Sequence, residues 1–137
     1  MGSRELMILL DTCAWLWMCS EPKKLSHAAR EAIGRDQKCN GLVVSIMSAW
    51  EIAKLVQKRK LAFSMTCRDW IEGAVRAEGV LMHPLTPEIC VESTELPGAF
   101  HGDPADQLIV ASARILGAPI VTSDRKIRDY PHVATLW

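Results

Sequence analysis

Four acidic residues, Asp11, Glu51, Asp106 and Asp124, stand far apart in the chain, yet each lies just past an apolar strand-like run or in the first turns of a helix-like one. Asp11 ends the run Met7-Ile8-Leu9-Leu10, and Asp124 follows Ile120-Val121-Thr122-Ser123. In open parallel sheets ligands bind outside the carboxyl ends of the strands, so acids placed there meet in one crevice. Carboxylates gathered in one crevice repel unless a cation joins them, and hard divalent cations such as Mg²⁺ prefer all-oxygen ligands. The pattern points to a metal-dependent site acting on phosphate.

Each acid also has a local reading. Asp103 precedes Pro104 and is well placed as a helix N-cap. Asp106 shares a helical stripe with Ile109, Val110 and Ala113, a core-facing pattern on which an unpaired carboxylate would cost several kcal/mol. It needs a partner, which a metal would supply better than a helix dipole. In Ser48-Ala49-Trp50-Glu51 the glutamate fits a capping box, and it could also pair with Lys54 or reach the crevice beside Asp11. Asp11 and Asp124 are open to turn and ligand roles alike. Thr12, Ser45, Ser48, Thr122 and Ser123 cluster at the same edge, either as supports that orient ligands or as capping groups.

The elements that must position these residues alternate. Residues 6–10 form an unalternated apolar run of the kind buried on both faces of a parallel sheet, and residues 42–45 repeat it. Short strands are expected at 80–82, 119–122 and 133–136. Between them the sequence predicts a short helix from Thr12, a helix from the cap Ser26 to Gln37, and one over 48–58. A helix opened by Thr66 and Asp69 should stop near Gly79, and another starts at Thr86-Pro87-Glu88. A loop over 96–102 leads to the clearest helix, opened by Asp103-Pro104 and stopped by Gly117, and a short helical turn follows at 124–129. This alternation implies one three-layer α/β/α domain with helices on both faces of a central, mainly parallel sheet.

At 137 residues the chain can bury a single core without disulfides. Sixteen basic and sixteen acidic residues cancel, so no overall basic field attracts nucleic acid and any such partner must be held by local patches. The basic cluster Lys54, Lys58, Arg59 and Lys60 is either a solvated helix end or a set of RNA backbone contacts. Five cysteines without zinc spacing read as buried thiols of a reducing, cytoplasmic compartment. His101, lacking a second His or Cys at ligand spacing, reads as a solvated loop residue. Most of the five tryptophans should be core, with Trp15 and Trp17 on different sides of their helix and at least one of them exposed or in an interface. No apolar run reaches the roughly 18 residues that span a bilayer, and residues 1–5 read as a disordered or vector-derived start.

Leu9-Leu10-Asp11-Thr12 with Trp15, residues 45–54 (SIMSAWEIAK), residues 101–113 (HGDPADQLIVASA) and Val121-Thr122-Ser123-Asp124 together resemble PIN-domain ribonucleases, in particular VapC-type toxins of bacterial toxin–antitoxin systems. The resemblance implies a Mg²⁺ or Mn²⁺ site on Asp11, Glu51, Asp106 and Asp124, supported by Thr12, Ser48 and Ser123, with Asp103 as a further ligand or only a helix cap. It implies hydrolysis of RNA by metal-activated water to give 5′-phosphate and 3′-hydroxyl ends, homodimerisation, and inhibition by a VapB-type antitoxin. Gln107 stands where that branch often has arginine, so the resemblance implies no basic substrate or partner contact at this position. The rival reading is a catalytically inactive PIN-fold protein-binding module, which would gain stability by losing clustered carboxylates. A small-molecule phosphatase ranks lower, because Asp11-Thr12-Cys13 lacks a second Asp two residues on.

Overall fold

The computed structural model describes residues 7–77 and 79–137. The expected start of the first strand at Leu6, and the reading of residues 1–5, lie outside them. Among the described residues the sheet has five strands, β1 (Ile8–Leu10), β2 (Leu42–Ser45), β3 (Val80–His83), β4 (Ile120–Val121) and β5 (Thr135–Leu136), in the order β3-β2-β1-β4-β5. Every pairing is parallel, with Leu9 opposite Val43 on one side and Ile120 on the other. The first described strand, β1, therefore lies in the middle of the sheet, from which the chain builds outward through β2 and β3, then returns to the far side of β1. The reversal of winding falls between β1 and β4, where such sheets open a crevice at their carboxyl ends.

Among the described residues seven α-helices connect the strands: α1 (Thr12–Ser20), α2 (His27–Gln37), α3 (Ile46–Gln57), α4 (Cys67–Val75), α5 (Pro87–Thr94), α6 (Pro104–Leu116) and the single turn α7 (Arg125–Arg128). Strand residues alternate between two cores. Ile8, Leu10, Leu42 and Val44 pack with Trp15, Ala29, Ile33, Ile52 and Trp70 on one face. Leu9, Val43 and Ile120 pack with Ile109, Val110, Ala113 and Ile127 on the other. Both faces are thus covered, which is why these strands are apolar throughout.

Most helix starts follow the predicted caps: Ser26, Thr66, Thr86 and Asp103 each accept a backbone N–H of the first turn. Gly117, at φ 66°, closes α6 in the left-handed conformation. Two boundaries differ from expectation. β2 runs straight into α3, so the cap is Ser45, which accepts from Met47 N at 3.0 Å, and Ser48 lies inside the helix. α4 ends at Val75 rather than near Gly79. Gly79 instead sits at φ +81° against the end of α2, where an added Cβ would lie 2.3 Å from Gln37 O, and its carbonyl accepts from Leu42 N.

The cysteines are not buried: Cys13, Cys19, Cys39 and Cys90 are exposed, Cys67 is intermediate, and all five are free. They occupy helix ends, turns and outer faces instead of core stripes. Of the tryptophans, Trp15 and Trp70 are core and meet edge to face at 5.5 Å. Trp17 and Trp137 are half-buried against each other and against the same core, and Trp50 is exposed, so the expectation that most are core holds in part. No helix among the described residues is long and apolar enough to cross a membrane.

Candidate active site

Asp11 is the first residue beyond β1 and caps α1, accepting from Ala14 N at 2.8 Å through Oδ1. Its own N–H reaches Val121 O of β4. Thr122, fully buried at the end of β4, hydrogen-bonds the Asp11 carboxylate and also accepts from Asp124 N at 3.0 Å. One hydroxyl therefore joins the two strand-end acids across the switch point. Ser123, the hydroxyl expected to support the site, is exposed. Asp124 caps α7 through Lys126 N at 2.9 Å.

Glu51 comes to the same crevice from α3. Thr12 Oγ1 and Ser48 Oγ are hydrogen-bonded at 2.9 Å, and Thr12 also makes a short bond to Glu51 Oε1. A threonine has one hydroxyl proton. Given to the carboxylate, it leaves Ser48 as donor to Thr12, so the buried pair Thr12 and Ser48 forms a relay that fixes Glu51. The capping-box alternative for Glu51 is overturned, because α3 starts two residues before Ser48.

The fourth direction is α6. Asp103 caps it through Ala105 N at 3.0 Å, and Asp106 lies on the first turn with its Oδ2 3.2 Å from His101 Nε2. That contact is too poorly aligned to count as a hydrogen bond, and Nε2 is otherwise buried without a partner. Reading His101 as a solvated loop residue is therefore incorrect. Its Nδ1 accepts from Asp103 N, its carbonyl accepts from Gln107 Nε2 at 3.1 Å, and its ring packs on Phe100 at 4.4 Å. Phe100 in turn meets Tyr130 edge-on at 4.8 Å, and the buried Tyr130 holds the loop by donating to Pro97 O. The sequence signal was the offset of five residues before Asp106 in a loop ending at a helix start, which a search for zinc spacing overlooks.

The electrostatics follow from this crowding. Burial, then the charges of Asp103, Glu51, Asp124 and Asp11, push the Asp106 carboxyl up from 3.8 to about 7. Burial raises Asp11 as well, with Asp124 adding to the rise while Thr122 and the Ala14 N–H oppose it. Glu51 is raised by burial and by Asp103 and Asp11, against the lowering effect of Thr12. Even the neighbouring Cys13 thiol is pushed up to about 11, first by partial burial and then by Asp11, Glu51, Asp124 and Asp106. A common field of negative charge thus links the four predicted acids and Asp103.

This donor set is all oxygen and carries excess negative charge, which is the chemistry of a hard divalent cation. Each cap uses a single carboxylate oxygen of Asp103 or Asp124. As the side chains are placed, no three His, Cys, Asp or Glu donors among the described residues stand together as a closed metal-binding group. Beside the acids, a groove of about 300 Å³ between α3 and the start of α6 is lined by Glu51 and Asp103 at one side and by Lys54, Lys58 and Lys60 at the other. Arg59, fourth of the predicted basic cluster, is exposed at φ 59° in the turn after α3 and is not part of that lining.

Comparison with known proteins identifies the family. The PIN domain family model matches residues 8–133. The chain is 34% identical over 132 residues to ribonuclease VapC22 of Mycobacterium tuberculosis, covering 95% of this chain and 98% of that protein. Its fold is similar to that in VapBC2 from Rickettsia felis bound to a promoter DNA fragment, with a TM-score of 0.68, 16% identity, and coverage of 94% of this chain and 97% of the other. A toxin–antitoxin complex from Klebsiella pneumoniae gives a TM-score of 0.64 at 17% identity over 93% of this chain and 96% of the other. The strand order, the acids gathered at the switch point and the relative that shares nearly its full length place the chain in the PIN-domain family, among its VapC-type ribonucleases.

Proposed function

We infer that this ribonuclease is a Mg²⁺- or Mn²⁺-dependent endonuclease toxin that hydrolyses RNA phosphodiester bonds and is held in check by a VapB-type antitoxin. The observation that carries the reading is the gathering of Asp11, Glu51, Asp106 and Asp124 at the carboxyl edge of the sheet, where burial first, and then the neighbouring acids, push the Asp106 carboxyl up to about 7. Carboxylates so placed raise one another's energy, and a structural domain would be more stable without them. The inactive binding-module reading leaves that cost unexplained.

Asp11, Glu51, Asp106 and Asp124 would hold the cation, with Asp103 as a further donor or only a cap. The cation, when bound, would neutralise charge on the phosphate and lower the pKa of water. The chain's own groups do the rest. Thr12, itself held by Ser48, fixes Glu51 through Oε1 and leaves Oε2 to accept a proton from the attacking water. The water oxygen bonds to phosphorus as the bond to the 3′-oxygen breaks, leaving a 5′-phosphate and, after that oxygen takes a proton from solvent, a 3′-hydroxyl. Thr122 keeps Asp11 and the start of α7 in register, and Gln107 ties the His101 loop to α6. Lys54, Lys58 and Lys60 offer phosphate contacts, Arg59 flanks them on the turn, and Ser123 stays exposed beside Asp124. The neighbouring structures are toxin–antitoxin assemblies, which supports an antitoxin partner, and the family resemblance supports a homodimer.

The test is incubation of purified, antitoxin-free protein with tRNA, rRNA fragments and mRNA, in Mg²⁺ or Mn²⁺ against EDTA. The expected result is metal-dependent cuts bearing 5′-phosphates, absent from Asp11→Asn. Equal cleavage by that variant, or undiminished cleavage in EDTA, overturns the mechanism. No cleavage together with no metal binding by calorimetry favours the inactive module.

A further inference from the structure

We propose that Trp50 is a stacking platform for an unpaired base of the RNA, seated in the groove between α3 and α6 so that the adjoining phosphates run over Lys54, Lys58 and Lys60. The inference rests on the ribonuclease reading and adds a substrate-positioning residue and a preference for single strands.

Trp50 is 53% exposed, so a group that covers its ring would bury apolar surface and gain by it. It lines the same groove as Glu51, the acid fixed by Thr12, and Asp103, so a base on its ring shares that groove with two of the acids. Ile46, Trp50, Lys54 and Lys58 recur every four residues along the outer side of α3, a stripe that passes from apolar to basic. Lys54 Nζ lies 5.6 Å from the centroid of the Trp50 ring and 2.9 Å from Gln57 Oε1. An ammonium at a ring face restrains the indole without hiding it.

The charge pattern selects the occupant. An aromatic face beside successive cations is the arrangement that binds single-stranded nucleic acid, the ring taking the base and the cations the backbone. A duplex keeps its bases stacked inside and presents no free π-face to Trp50. Apolar peptide segments would satisfy the indole but bring no anionic group to Lys54, Lys58 and Lys60.

The experiment measures binding of fluorescein-labelled 12-nucleotide single-stranded RNAs of random sequence, and of a matching RNA duplex, by polarisation in EDTA to prevent cleavage. The proteins are the wild type, Trp50→Ala, Trp50→Phe and Lys58→Gln, each first shown to melt at the wild-type temperature. Trp50→Ala should weaken single-strand binding by about 10-fold or more, Trp50→Phe should restore most of it, and duplex binding should not change. The salt slope should stay the same in Trp50→Ala and fall by roughly 0.7 in Lys58→Gln.

Wild-type affinity for single strands in Trp50→Ala overturns the proposal while leaving the nuclease reading intact, and so does equal loss in the alanine and phenylalanine variants. Loss of self-association in Trp50→Ala at unchanged RNA affinity assigns the ring to a protein interface and overturns it too. A wild type that binds no RNA and cleaves none overturns the nuclease reading along with it.

Discussion

Replacing Asp106 with Asn should stabilise the metal-free protein and destabilise it relative to wild type once metal is added. The carboxyl of Asp106 keeps its proton to about pH 7 in the folded protein against 3.8 ordinarily. The sign follows directly. Below 3.8 both states are protonated and folding bears no penalty; between 3.8 and about 7 the unfolded chain ionises while the folded one does not; above about 7 the whole penalty is present. Stability from this group is therefore lost as pH rises through that window.

A displacement of this size is worth at most about 4 kcal/mol. The Asp106 side chain retains 19% of its exposure and stands at a solvent-facing crevice, so screening brings the expected gain from Asn down to about 1–2 kcal/mol. For a domain of this length that is a rise in Tm of roughly 3–8 °C. Thermal melts in EDTA at pH 8 should show it in full, melts at pH 5 should show less, and near pH 3.8 it should almost vanish. Saturating Mg²⁺ should reverse the order, because a ligand at 100 times its Kd adds about 2.7 kcal/mol to the species that binds it. Repeating the series in a His101→Gln background separates carboxylate repulsion from the contact at 3.2 Å. A lower Tm for Asp106→Asn in EDTA at pH 8, or a gain independent of pH, would falsify the crowding argument.

Other perturbations test further parts of the structure. Thr12→Val keeps the shape but removes both the donor to Glu51 and the partner of Ser48, so single-turnover cleavage should slow at saturating RNA and stability should drop by about 1–2 kcal/mol; an unchanged rate would show that the relay has no part in catalysis. Gly34→Ala and Gly73→Ala, at helical positions where a Cβ meets nothing within 4 Å, should each gain about 0.5–1 kcal/mol. Gly79→Ala should lose about 2 kcal/mol or more, since it combines a positive φ with a collision against Gln37 O; denaturant midpoints would distinguish the three. Cys13, though exposed, should be alkylated slowly by iodoacetamide at pH 7.5 because its thiol titrates near 11. Fast labelling at neutral pH, read by peptide mass spectrometry, would contradict the rise assigned first to partial burial and then to the acids of the crevice.

How far the site was legible depended on whether its geometry was local. Asp11 and Asp124 could be placed from sequence because each ends a buried strand, and the sheet order then brings them side by side across β1 and β4. Asp103 as a cap and Gly117 as a stop were equally legible, since a few consecutive residues determine them. Glu51 was ambiguous for a physical reason: Ser45 and Ser48 are both competent caps, and only the direct passage of β2 into α3 decides between them. That choice turns Glu51 toward Thr12, 39 residues away, a contact no spacing rule contains. His101 failed on the same ground. Its partner is five residues off, but its place depends on Phe100 and on Tyr130, which ties the loop down from beyond β4.

The cysteines and tryptophans misled because composition says what a side chain favours and leaves open which face of its helix it occupies. Cys13 and Trp15 share α1, yet Trp15 is wholly buried while Cys13 faces out toward the acids. Trp50 and Ile52 share α3 in the same way, one exposed at the groove and the other in the core. In α3 the inward stripe is supplied by Ser48 and Ile52, both fully buried, and that leaves Trp50 on the outer face regardless of its hydrophobicity. A tryptophan left outside the core by the helical period, beside the carboxylate that Thr12 fixes from α1, is where the proposed substrate contact and fold stability make opposite demands. The protein holds both at once by letting α3 present Glu51 to the carboxylate crevice and Trp50 to the groove from adjacent positions.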